Sequence, residues 1–197
     1  MSGPDGAGGG PLRCDWVPAG DGADAALYRG YHDTEWGRPL HGRTALFERM
    51  SLEAFQSGLS WLTILRKRDN FRSAFHGFDI DTVAGFGDAE VDRLMADAGI
   101  VRNRAKIDAT IANARVAADL DVDLDELLWS FAPPARPRPA VMSDVAAVTA
   151  ESTAMARELK RRGFRFVGPT TAYALMQATG MVDDHLATCW VRPAGGA

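Results

Sequence analysis

The chain has 197 residues, 46% of them hydrophobic and 24% charged, which is enough apolar material for one core or for two small helical lobes packed together. A formal net charge of −4 excludes a histone-like polycation and tight indiscriminate nucleic-acid binding, although local basic clusters set the field at a groove more than net charge does. No apolar run reaches the roughly 18 residues of a membrane span, so no membrane partner is expected.

The first stretch, residues 1–12, is rich in Gly and Pro and carries neither a basic nor an apolar region, so it reads as a disordered tail rather than a secretory signal. Residues 194–197 read as a second tail, and 13–193 as a single unit of two helical lobes. The two cysteines, Cys14 and Cys189, lie near opposite ends. With no sign of export the chain reads as cytoplasmic, where thiols stay reduced, and metal ligation explains the pair better than a disulfide.

Helical period dominates, and the fold class expected is all-α. Leu46, Phe47, Met50, Leu52, Phe55, Leu59 and Leu62 recur mostly at three and four until Gly58 interrupts. Residues 88–98 predict a short helix stopped by Gly99 in a left-handed C-terminal position. Asn103 is suited to cap a helix running to about Leu120, and a turn or two follows over Asp125 to Phe131. Ala132 to Ala140 holds four prolines and reads as a linker. Beyond it Ser143 is a possible helix cap, Thr153 to Arg162 predicts a helix ending at Gly163, and Gly168-Pro169 launches another, with Pro at the first helical position.

The candidate metal site is Cys14, His32, His185 and Cys189. His185-x-x-x-Cys189 would put two ligands on one helix face, about 6 Å apart, and a tetrahedral zinc needs two more from elsewhere. Two cysteines and two histidines close the shell, which points to structure rather than catalysis. Two buried thiols and two unrelated histidines is the plain alternative. His41 and His76 match no cysteine and read as surface or loop residues.

Six motifs occur in order: Cys14-x-Trp16; Tyr31-His32-Asp33-x-Glu35-Trp36-Gly37; Leu52-Glu53-x-x-Gln56-x-Gly58-Leu59-Ser60-Trp61; Lys67-Arg68-x-Asn70-Phe71-Arg72; Gly163-Phe164-x-Phe166-Val167-Gly168; and Asp184-His185-x-x-x-Cys189. From about Arg13 to Pro193 the chain resembles the 3-methyladenine DNA glycosylase I family. The resemblance implies a helix-hairpin-helix DNA glycosylase fold with a zinc site joining the N- and C-terminal segments. One structural zinc falls to Cys14, His32, His185 and Cys189. The expected function is a monofunctional glycosylase in base excision repair, which hydrolyses the N-glycosidic bond of 3-methyladenine in alkylated double-stranded DNA and leaves an abasic site.

The resemblance also maps a base pocket onto Trp16, Tyr28, Tyr31, Glu53 and Trp61, with Glu53 as the residue closest to a catalytic role; left to themselves these aromatics read as packing. The physical case is that a flipped base is held by stacking and edge hydrogen bonds, and that a cationic nucleobase favours aromatic faces and a carboxylate. DNA contacts fall to Leu59, which reads equally as a wedge on the Gly58 turn or as a core leucine, and to Gly168, Thr170 and Thr171 at a helix start that suits a phosphate. Phe166 stands where such hairpins have their first glycine. Basic residues at 66–68 and 160–165 suit a DNA backbone or a solvated face equally. Asp183 and Asp184 fit either a role at the sugar cation or support of His185. A lyase would need an amine nucleophile, and Lys67, Lys106 and Lys160 all lie outside the pocket motifs, so none is expected. The competing classes are a zinc-stabilised damage-binding module without turnover and a helical metalloprotein unrelated to DNA. A monomer is expected.

Overall fold

The computed structural model describes residues 10–192; of the expected tails at 1–12 and 194–197, only residues 10–12 fall within these. Nine α-helices are formed among the described residues, with no strand: α1 (Ala23–Thr34), α2 (Arg43–Gln56), α3 (Trp61–Ala74), α4 (Ile80–Ala84), α5 (Asp88–Ala96), α6 (Arg104–Ala118), α7 (Leu124–Trp129), α8 (Ala150–Arg161) and α9 (Pro169–Ala178). None of them is long and apolar enough to cross a membrane.

The helix α2 is the organising element. From Leu46 to Phe55 all but one of its residues are buried, which is the pattern of a helix enclosed on every side. Leu46, Phe47, Met50, Leu52 and Phe55 join Phe71, Phe75 and Phe78 in one continuous core that also takes in Met155, Leu159, Tyr173 and Met176 from α8 and α9. Glu53 sits on this helix at 5% exposure, so a carboxyl group is carried into the interior by an apolar frame.

Local chemistry sets the helix starts. Asn103 Oδ1 accepts from Lys106 N–H at 3.2 Å, as its sequence position predicts. Ser60 does the same for Thr63 at 3.2 Å and so starts α3 two residues after the α2 break. Lys106 Nζ donates to the α2 C-terminal carbonyls of Phe55 at 2.9 Å and Ser57 at 2.5 Å, satisfying groups that a helix end leaves open.

Three expectations are corrected. Gly99 is not a left-handed stop: α5 ends at Ala96, and Asp97 in extended backbone turns its carboxylate onto Gly99 N–H at 2.7 Å. Ser143 caps no helix but lies inside a single 3-10 turn, and the following helix is capped by Thr149. His185 and Cys189 lie in a turn rather than on a helix, with Cys189 N–H closing onto Leu186 O at 2.8 Å. The proline-rich segment does more than connect: Pro139 O accepts from Ala187 N–H at 2.9 Å, docking it on the C-terminal turn.

Candidate functional site

One cavity of about 400 Å³ opens between α1, α2, α3 and α9, within the usual range for small-ligand sites. Trp16, Tyr28, Tyr31, Glu53 and Trp61 all line it, four of them from three separate motifs and Tyr28 from the turn before Tyr31. Helix α1 accounts for part of this. Tyr28 and Tyr31 lie three apart on one face, and His32, the next residue, points to a different cluster. The Tyr31 and Trp61 rings lie 5.3 Å apart. Trp16 bridges the two neighbourhoods, 6.4 Å from Tyr31 and 5.2 Å from His32.

Glu53 is the buried ionisable group of this cavity. Burial pushes its carboxyl up to about 7, against the pull of Arg49 one turn earlier. Burial likewise raises the Tyr31 hydroxyl above its ordinary range. Trp61 Nε1 is buried and has no acceptor among the described residues, so this wall keeps a donor unspent.

Several lining residues were not expected from sequence: Trp36, Gln56, Tyr173 and Gln177. Tyr173 and Gln177 are four apart on α9, and that spacing was the available signal. Both donate to Asp184, at 2.5 Å and 2.9 Å, and Arg136 from the proline-rich segment adds a third bond at 2.9 Å. Asp184 therefore faces the cavity and is held by three donors. Asp183 does something else: its Oδ1 lies 3.0 Å from His185 Nδ1, and its Oδ2 accepts from Arg138 at 2.8 Å.

Next to the cavity lies a buried cluster of sulfur and imidazole. The ligand atoms of Cys14, His32 and Cys189 fall within 4.8 Å of one another. The His185 ring is 5.1 Å from that of His32, and its Nε2 is buried without a partner among the described residues. Each histidine has Nδ1 against a carboxylate, His32 on Asp33 at 2.8 Å and His185 on Asp183. That leaves His185 Nε2 free and turns His32 Nε2 toward the thiols, 3.5 Å from Cys189 Sγ, the arrangement of metal-bound imidazoles. Burial keeps His32 below its ordinary pKa and pushes the Cys14 thiol up to about 12. The donor set fits a thiophilic divalent cation.

The expected DNA-facing residues lie at the surface rather than in the cluster. Leu59 is 42% exposed on the turn where Gly58 takes φ +80°. Gly168 is the N-cap of α9, and Thr170 lies at the cavity, while Thr171 is half-buried. Phe166, at the position of the hairpin glycine, is in the left-handed region at φ +55°. The nearby cations are largely committed to acids. Arg161 and Arg162 pair with Glu158, and Arg162 also with Asp121. Arg66 pairs with Asp24 and Arg68 with Glu35, while Lys67 donates to Ala98 O. Lys160 and Arg165, by contrast, are exposed and carry no ion pair among the described residues, so that part of the segment can meet a DNA backbone or solvent.

A helical frame that buries an aromatic and carboxylate cavity beside a sulfur–imidazole cluster defines a binder of flat, polar rings. The chain belongs to the methyladenine glycosylase family, whose model matches residues 22–192. It is 42% identical over 186 residues to DNA-3-methyladenine glycosylase 1 of Escherichia coli (strain K12), covering 92% of this chain and 97% of that one. A crystal structure of 3-methyladenine DNA glycosylase I superposes with TM-score 0.87 at 41% identity, over 92% of this chain and all of the other, a coverage of 100%. The Staphylococcus aureus 3-methyladenine DNA glycosylase I, solved to define 3-methyladenine recognition, is 34% identical with TM-score 0.82, covering 86% and 93%.

Proposed function

We propose that the cavity takes a 3-methyladenine flipped out of alkylated duplex DNA, with Glu53 reading the base between Tyr31, Trp16 and Trp61 while Tyr28 supports the stack. The chain is a DNA-3-methyladenine glycosylase by family, an enzyme of base excision repair. The single observation behind the residue roles is the burial of Glu53, an ionisable group at 5% exposure, against an aromatic cavity. A buried carboxyl is costly unless it has a partner, and a cationic alkylated base is one.

Mechanistically, methylation at N3 has already made the adenine a good leaving group, so no residue need protonate it. As the N-glycosidic bond breaks, positive charge moves from base to sugar, and water then supplies the oxygen at the sugar carbon. Glu53 orients the base and contributes a negative field to the developing cation. Leu59 fills the gap in the stack, and the α9 N-terminus at Gly168, Thr170 and Thr171 takes a backbone phosphate. Lys67 and Lys106 are bonded to backbone carbonyls, and Lys160 lies on the groove beside the hairpin, so among the described residues no lysine lines the cavity to form a Schiff base.

Cys14, His32, His185 and Cys189 would hold one zinc ion. With four protein ligands, it would tie the terminal segments together and offer no open position for chemistry. We further propose that residues 13–193 act as one unit, a cytoplasmic monomer. The test of function is release of base: the protein is incubated with methylated duplex DNA and the freed bases are identified. Free 3-methyladenine is the expected product, and binding of the DNA without release would leave only a damage-binding module.

A further inference from the structure

Arg49 lies one turn before Glu53 on α2, and its side chain is 8% exposed. Its guanidinium covers two of the pocket rings, with Cζ 5.4 Å from the Tyr31 centroid and 5.6 Å from that of Trp61. One nitrogen donates to the Tyr31 hydroxyl at 3.1 Å, and another reaches Glu35 at 3.5 Å. Glu35 is already matched by Arg68, which grips both its oxygens at 2.5 Å and 2.9 Å. The Arg49 charge is therefore only weakly spent on Glu35.

A methionine would fill the same space without desolvating a charge, and burying a guanidinium is costly unless the charge is used. We propose that Arg49 is a positioning residue of the base pocket, fixing the Tyr31 hydroxyl and supplying the positive charge beside which Glu53 works. The inference rests on Glu53 being the base-reading group.

The other ionisable groups around this cavity are Tyr28 and Tyr31 from α1, Tyr173 from α9, and Asp184 after α9. Asp184 is offset by Arg136 and two neutral donors, and Glu35 by Arg68. Arg49 is thus the cation left to oppose the effect of burial on Glu53, and it acts in that direction. Without it the carboxyl would stay protonated across neutral pH, and a protonated acid accepts fewer hydrogen bonds from a base and carries no charge to attract a cation.

The test uses the full chain and the variants Arg49→Met and Glu53→Gln. The Glu53 carboxyl is followed by carbon NMR, assigned by difference against Glu53→Gln, and excision of 3-methyladenine from methylated DNA is measured across neutral pH. Arg49→Met is expected to raise the Glu53 midpoint by about one pH unit, a tenfold change in proton concentration, and to move the acid limb of excision with it. Arg49→Lys restores both in part. A folded Arg49→Met with an unmoved midpoint overturns the proposal. If the midpoint moves but Glu53→Gln excises like the native chain, the base-reading role of Glu53 fails while the hold of Arg49 on it stands. Should Arg49→Met not fold, Arg49→Gln keeps a donor for Tyr31, drops the charge, and carries the same expectation.

Discussion

Asp183 and Asp184 are neighbours in sequence whose carboxylates serve different sites, one holding the His185 imidazole at 3.0 Å and the other receiving the Tyr173 hydroxyl at 2.5 Å inside the cavity. The sequence left both open to either role, and the turn of the chain between them separates the two. Asp183→Asn should therefore weaken metal binding about 10- to 100-fold, with excision recovering in excess zinc. Asp184→Asn should keep its metal and lose excision rate. Metal content by emission spectroscopy, paired with base release, separates them; a metal-free Asp184→Asn would reverse the assignment.

Gly37 packs directly against the His185 ring. A Cβ there would lie 2.6 Å from His185 Cε1, and its φ of +73° disfavours any side chain. Gly37→Ala should cost about 2 kcal/mol through overpacking and displace the imidazole. Urea denaturation would read the loss, and a variant as stable as the native chain would mean the ring has room to move.

Glu53 makes stability depend on pH in a definite sense. Its folded pKa, about 7, lies above its unfolded value, so the folded state binds the proton more tightly. The protonated form carries no penalty in acid. As pH rises from the unfolded value through 7, the fold loses stability, up to about 3 kcal/mol for a shift of this size. Glu53→Gln should accordingly be more stable than the native chain at pH 8 and nearly equal to it at pH 4. Melting curves at both pH values check this, and equal stabilities at pH 8 would place the carboxyl in a wetter site.

How far the sequence reached is clearest along α2. Its spacing, the Gly58 break and the buried Glu53 were all legible, because an apolar helix that carries one acid announces a conflict of local preference. Helices α1 and α3 were not marked by the pattern. The inner face of α1 lines a cavity and a ligand cluster rather than a core, so its residues are Tyr and His rather than Leu. The sequence of α3 alternates charge with apolar residues too densely to show a stripe. The His185–Cys189 turn looked helical because a spacing of four fits either geometry. Arg136 and Arg138 were beyond reach because their partners lie far away in sequence.

Leu59 tests the DNA side of the site separately from the base pocket. Leu59→Ala removes an exposed side chain from a turn held by Lys106, with no part of the cavity lining lost. Excision from duplex DNA should fall at least tenfold while affinity for free 3-methyladenine is unchanged. Equal losses in both would show that the turn, rather than a wedge, is what was damaged.

Zinc removal should act on the fold before the chemistry. A chelator is expected to lower the melting temperature and loosen Trp16 and Trp36, which pack on the cluster and line the cavity, so excision should decline as folded protein and the Trp16 wall are lost. A chelated protein that stays fully folded yet inactive would give the metal a catalytic part.

The contact between Cys189 Sγ and His32 Nε2, 3.5 Å apart across 157 residues, also fixes an order of events at birth. At roughly 5–20 residues per second of synthesis, His32 leaves the ribosome on the order of ten to thirty seconds before Cys189 exists to meet it. For most of that interval Trp16, Tyr31 and Glu53 can form only half a chamber, since Tyr173 and Asp184 have yet to be made. A nascent chain thus lacks one wall of the cavity until its C-terminal segment has been made.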